Sequence, residues 1–241
     1  MEIPQRQEYS PLRRLAAWGV HLFTASGLLA GFMALLAAIE QDWRTAMLWL
    51  LACQIIDGVD GLMARAVRVK EVLPYMNGQN IDYVIDFFTY AIVPAYIFFA
   101  AIPLPSAASY AGAFIMLLTA AIYYGKEGMV AEDEAHFVGF PVMWNMVVYM
   151  QVFVFTGWSG WVHLGLVVVF AVLHFLPIYF AYPSRDKSSY LPWVCTILFL
   201  AGLLVNVWVY PAVSVLGRLL AIAGTVGFAA LATRATWQKF S

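Results

Sequence analysis

Long apolar stretches separated by short polar turns dominate this chain. Eight can be read off, at residues 15–39, 43–64, 82–102, 107–124, 141–157, 161–181, 190–210 and 212–233. A helix needs about 20 apolar residues to cross the hydrocarbon core of a bilayer. The expected fold is therefore all-α, a polytopic membrane bundle of about eight transmembrane helices. Composition agrees, since 63% of the 241 residues are hydrophobic and only 11% are charged. A soluble domain is about half apolar and about a quarter charged. The connections leave no room for a soluble module, so residues 1–241 are read as a single integral-membrane domain.

The few positive charges alternate in position along the chain. Arg6, Arg13 and Arg14 precede the first stretch, Arg65, Arg68 and Lys70 follow the second, and Lys126 follows the fourth. Arg185 and Lys187 follow the sixth, and Arg234 and Lys239 the eighth. The other side offers Arg44, with Arg218 inside the last stretch. This asymmetry predicts that both termini and the loop after the second stretch face the cytoplasm. The opening segment MEIPQRQEYSPLRR carries two glutamates and leads into a long run, which suits an uncleaved first span better than a signal peptide. Cys53 and Cys195 have neither CxxC spacing nor a cysteine framework and read as buried thiols. The net charge of −1 says little about partners, and nucleic acid is not expected among them.

Against this apolar background, residues 57–86 read DGVDGLMARAVRVKEVLPYMNGQNIDYVID. On a helix, positions i, i+3, i+4 and i+7 share a face. Asp57, Asp60, Gly61 and Ala64 have that spacing, and so do Asp82 and Asp86. A single acid at a helix end needs no explanation, because helix ends meet water. Two acidic pairs at neighbouring helix tips, joined by a loop long enough to turn back, can converge on one point. Four converging carboxylates repel one another unless a cation offsets them. Hard oxygen donors without Cys or His favour Mg²⁺ or Mn²⁺, and such ions commonly serve phosphate chemistry. Gly61 and Gly78 leave space for a ligand near the backbone. Arg65 offers a planar fork for a phosphate.

The same residues resemble the signature of the CDP-alcohol phosphotransferases, D-x2-D-G-x2-A-R-x(n)-G-x3-D-x3-D. Asp57, Asp60, Gly61, Ala64, Arg65, Gly78, Asp82 and Asp86 fill every fixed position. The gap of twelve residues after Arg65 is longer than is usual in that family. The gap and its content, ARAVRVKEVLP, are similar to the bacterial branch whose acceptor is choline. So are AWGVHLFTASG, IDYVIDFFTYAIVP, FVGFPVMWN and LPIYFAYPSR, so the likeness spans most of the chain.

The resemblance implies a six-helix core plus two helices, often a homodimer, in a bacterial inner membrane. It implies transfer of the phosphatidyl group of CDP-diacylglycerol to choline, with release of CMP. Asp57, Asp60 and Asp82 would be metal ligands. Asp86 would be the general base and a ligand of a second ion, so that Mn²⁺ or Mg²⁺ would act as a pair. Asp57, Gly61, Ala64, Arg65, Gly78 and, at the lipid phosphate, Arg185 would line the CDP-diacylglycerol site. His21 and Thr24 stand where relatives carry polar residues near the nucleotide. A quaternary ammonium is held by aromatic faces, helped by a carboxylate. Tyr83, Trp144 and Glu132 are the expected choline contacts.

The residues themselves leave alternatives open. Another acceptor alcohol is one: serine, glycerol 3-phosphate, an inositol phosphate or a second phospholipid. An anionic acceptor would call for more basic residues than the polar loop YYGKEGMVAEDEAHF supplies. A cation-coupled transporter is another, since acids within membrane spans are common there. Transporters tend to carry such acids near the midplane, on broken helices in related halves, and no second half repeats these. A structural scaffold would leave the acids without a purpose.

Overall fold

The computed structural model describes residues 9–186 and 189–240, so Arg6 and Lys187 lie outside the described residues. In chain order the elements are α1 (Pro11–Ile39), α2 (Trp43–Val67), α3 (Val69–Val72), α4 (Gly78–Ala101) and α5 (Ser106–Tyr124). Then come β1 (His136–Val138), α6 (Trp144–Val154), α7 (Gly160–Leu173), β2 (Tyr179–Ala181), α8 (Leu191–Val209) and α9 (Val215–Phe240). Among the described residues six helices, α1, α2, α4, α5, α8 and α9, are long and apolar enough to cross a membrane. The chain is an all-α, multi-pass membrane protein. Its outward side chains, Leu22, Leu29, Leu118 and Trp208 among them, are apolar, as they must be where hydrocarbon is the solvent.

Two of the eight expected spans are shorter than the sequence suggested. At 1.5 Å per residue, α6 is about 16 Å long and α7 about 21 Å, against a core of about 30 Å. Pro141 precedes α6, and Gly157, at φ +84°, follows it. Beyond α7, Pro177 prevents a helix from continuing, and residues 179–181 instead pair antiparallel with 136–138. All of α6 except Met146 is buried, and Trp144 and Tyr149 fill the centre of the core.

Successive helices alternate in direction. At one end Arg44 lies over the Trp208 ring at 5.2 Å, and Arg218 hydrogen-bonds Thr156. At the other end lie the loops 68–77, 125–143 and 174–186, with the tip of α9. There the Tyr179 N–H donates to Thr236 Oγ1 at 2.9 Å, and Lys239 pairs with Asp133 at 3.1 Å. This second end holds Arg13, Arg65, Arg68, Lys126 and Arg185, which is the clustering read from the sequence.

The seam between α1 and α4 sets the rotation of α4. A Cβ on Gly27 would come within 3.1 Å of Ile85 Cγ2, and one on Gly31 within 2.8 Å of Thr89 Cγ2. Small residues at i and i+4 let two membrane helices approach backbone to backbone. With Ile85 and Thr89 turned toward α1, the adjoining Asp86 and Tyr90 lie about 100° further round, toward α2.

Both acid-bearing helices run further than the sequence suggested. α2 continues to Val67 and ends at Arg68, whose φ of 59° is left-handed. α4 begins at Gly78, where the Asn77 side chain accepts from the N–H groups of Gln79 and Asn80. The acids therefore stand inside the helices and not at their tips. Asp57 is about 15 Å along α2 from its end, and Asp86 about 12 Å into α4.

Candidate active site

α2 and α4 bring Asp57, Asp82 and Asp86 together, with one carboxylate oxygen of each within 4.8 Å of the others. All three are half-buried. Among the described residues no lysine or arginine pairs with any of them. Asp60, one turn along α2, is buried and stands outside this trio, with the Thr24 hydroxyl of α1 facing its carboxylate.

The tyrosines around the trio come from three elements. α4 widens into a π-turn at Phe87–Ile92, immediately after Asp86; single π-turns inside helices are frequent at functional sites. Within it the buried Tyr90 hydroxyl donates to Asp57 Oδ2 at 2.8 Å. Tyr124, the last residue of α5, faces Asp86 with its hydroxyl. Its ring lies 5.5 Å from that of Tyr83 and 6.4 Å from that of Phe87.

The third tyrosine arrives on the ribbon formed by β1 and β2. Tyr182 follows β2, stacks on Phe137 at 4.4 Å, and carries the Arg185 guanidinium over its ring at 4.8 Å. Burial holds the Tyr182 phenol above its ordinary value; Arg185 pulls it down, while Asp57 and then Asp82 push it up. Tyr182 thus stands within the field of the acids. Arg185 is itself exposed, 3.9 Å from Glu134. Asp133 anchors the ribbon. Burial raises its carboxyl, but the Ala135 N–H, Lys239 and His136 outweigh that and leave it below the usual carboxylate value.

The other expected residues fall in different places. An added Cβ on Gly78 would meet His21 Cε1 at 3.1 Å, so Gly78 makes room for that ring, whose Nε2 is buried without a partner. Arg65 is exposed and lies along Gly61, its Nη1 3.5 Å from where a Cβ would stand. Ala64 packs on the small cluster of Ala17, Val20, Val69 and Leu73. Tyr83 adjoins the acids, whereas Glu132 is exposed on the loop after α5. Trp144 departs from expectation. It is wholly buried, edge-on to His174 at 5.1 Å, and has no open face for a cation. Its place at the start of the buried α6 explains this. Sequence reasoning gave no role to Tyr124 or Tyr182. Tyr90 had a signal, because it continues the i, i+4 series of Asp82 and Asp86.

No protein-family model matches the chain. It is 40% identical over 177 residues to a phosphatidylcholine synthase of Rhizobium johnstonii, covering 73% of this chain and 72% of the relative. It is 38% identical to that of Mesorhizobium japonicum, over 76% and 67% of the two chains, and 35% identical to that of Pseudomonas aeruginosa, over 77% of each. The chain belongs to the phosphatidylcholine synthase family. In this member of the family the site fits a divalent cation. Three carboxylates without a basic partner leave charge to be offset, and a donor set of oxygens alone suits a hard ion.

Proposed function

We propose that this protein transfers the phosphatidyl group of CDP-diacylglycerol to choline, releasing CMP, at the cytoplasmic face of a bacterial inner membrane. The observation that carries this reading is the convergence of three signature carboxylates within a lipid-facing bundle of the phosphatidylcholine synthase family. Asp57, Asp82 and Asp86 would hold the ion, Mn²⁺ or Mg²⁺, with Asp60 beside them available to a second. Bound there, such an ion offsets charge on the diphosphate as its bond breaks.

The chain's own residues supply the rest. The exposed Arg65 and Arg185 offer guanidinium forks to phosphate oxygens, and Gly61 and Gly78 keep the adjoining backbone clear of side chains. Asp86 accepts the choline hydroxyl proton. The choline oxygen then bonds to the β-phosphorus as the bond from that phosphorus to the CMP oxygen breaks, and CMP leaves with the electron pair. No Ser, Cys or His stands between Asp57 and Asp86 in the sequence, which favours direct displacement over a covalent intermediate. Tyr83 offers the ammonium an aromatic face beside Asp86, and Glu132 adds negative charge on the approach.

The test is to incubate membranes containing the protein with CDP-diacylglycerol and each radiolabelled alcohol in turn. Label from choline is expected in lipid, with CMP released in equal amount. Incorporation of serine or glycerol 3-phosphate, with none of choline, would refute the choice of acceptor.

A further inference from the structure

Beside the acids, the outer surface of α4 forms a shallow, open groove of about 490 Å³ between α1 and α5. Its wall is formed by Leu28, Val84, Phe88, Ile92 and Ala121, with Tyr83, Phe87 and Tyr124 at the end nearest the acids. Tyr124 belongs to both places, because its hydroxyl faces Asp86 while its ring bounds the groove. From Tyr83 to Ile92 the groove follows α4 for about 14 Å. The hydrocarbon of one leaflet, half of the core, is about 15 Å deep. The groove therefore starts at the chemistry and is about as long as one leaflet is deep.

We propose that this groove seats one acyl chain of the lipid substrate, its carbonyl end beside Tyr124 and its methyl end toward Ile92. The identity of the lipid rests on the reaction proposed above. Two observations favour an acyl chain as the occupant. The groove is continuous with the acid site, which a substrate anchored in the membrane must reach without leaving the lipid. Its wall, Leu28, Val84, Phe88, Ile92 and Ala121, is apolar along its length, with the phenols of Tyr83 and Tyr124 confined to the end nearest the acids. Ala121 is the smallest side chain of the wall.

Two measurements on the full chain in membranes test this. In the first, CDP-diacylglycerol with a photoreactive diazirine in mid-chain is activated, and the adducts are mapped by mass spectrometry. Adducts at Val84, Phe88 or Ile92 that excess unlabelled CDP-diacylglycerol competes away are expected. Adducts elsewhere, adducts that excess substrate does not reduce (bulk lipid filling the groove), or cross-links between copies through this face would each overturn the proposal.

In the second, Ala121→Trp fills the groove. Excluding about two methylenes of the chain should raise KM for a long-chain substrate roughly tenfold, and for a dibutyryl substrate much less. Val169→Trp, on the outer face of α7, controls for a bulky residue facing lipid. Equal KM changes for long and short chains would count against the groove. Photolabelling needs no turnover, so competed adducts in a protein that ignores choline would preserve the groove and defeat the acceptor assignment instead.

Discussion

Two helix pairs in this molecule solve the problem of polar groups in lipid differently. In α2 and α4 the groups are carboxylates, gathered within 4.8 Å and joined by a tyrosine from a π-turn. In the other half, α6 also contains a π-turn, at Met150–Val154, but its polar neighbours are neutral. Asn206 of α8 donates to the Tyr149 hydroxyl at 2.9 Å, and Gln151 to the His163 carbonyl at 3.0 Å. Neutral groups that bond one another can be sealed inside a core, whereas acids that repel one another need an external partner. The first pair leaves charge for a ligand to offset, and the second ties neighbouring helices together.

This contrast can be broken in several ways. Excess EDTA should abolish turnover completely, and Mn²⁺ or Mg²⁺ should restore it; undiminished activity in chelator would make the acid pair structural. Asp86→Asn should lower kcat about 10²- to 10⁴-fold while CDP-diacylglycerol still binds, which single-turnover and equilibrium binding assays separate. Tyr90→Phe removes the hydrogen bond to Asp57 and should weaken metal affinity about 10- to 100-fold. Mn²⁺ titration followed by electron paramagnetic resonance reads this without any assay of turnover.

On the other side of the contrast, Asn206→Leu should cost about 0.6 kcal/mol of stability, the mean for a hydrogen bond between membrane helices. Activity per folded molecule should not change, and a large loss would show that the amide pair also serves the site. The smallest effect concerns Asp133. Its folded-state carboxyl lies below the ordinary value of 3.8, so its stabilisation is present above that pH and is lost as pH falls through the depressed value. Melting curves of Lys239→Met should converge on those of the parent chain as the pH is lowered.

The site's acids could be read from the sequence because helical spacing and cost in lipid both single them out. Six of the eight expected spans were legible in the same way, because apolar length is a local property, whereas α6 and α7 proved too short to cross. The ribbon was not legible. FVGF lies just before one expected span and IYFA at the end of another, and only the pairing of Phe137 with Phe180, far apart in sequence, makes them strands. The helix ends were missed because the sequence between them is neither clearly apolar nor clearly polar. Trp144 was misplaced because an aromatic near a polar loop looks the same whether it turns outward or inward. The seam at Gly27 and Gly31 had a signal in GLLAG, which could have indicated that α1 orients α4.

The ribbon also sets a depth gauge for the whole protein. The charges held against it, Lys239 on Asp133 and Arg185 near Glu134, are costly to leave in hydrocarbon. The waterline must therefore reach β1 and β2, and with it the stacked rings of Phe137 and Tyr182. Tyr182 already stands in the field of Asp57 and Asp82, so in the reaction proposed above a water-borne alcohol would pass that ring, while the oily partner would never have to climb to it.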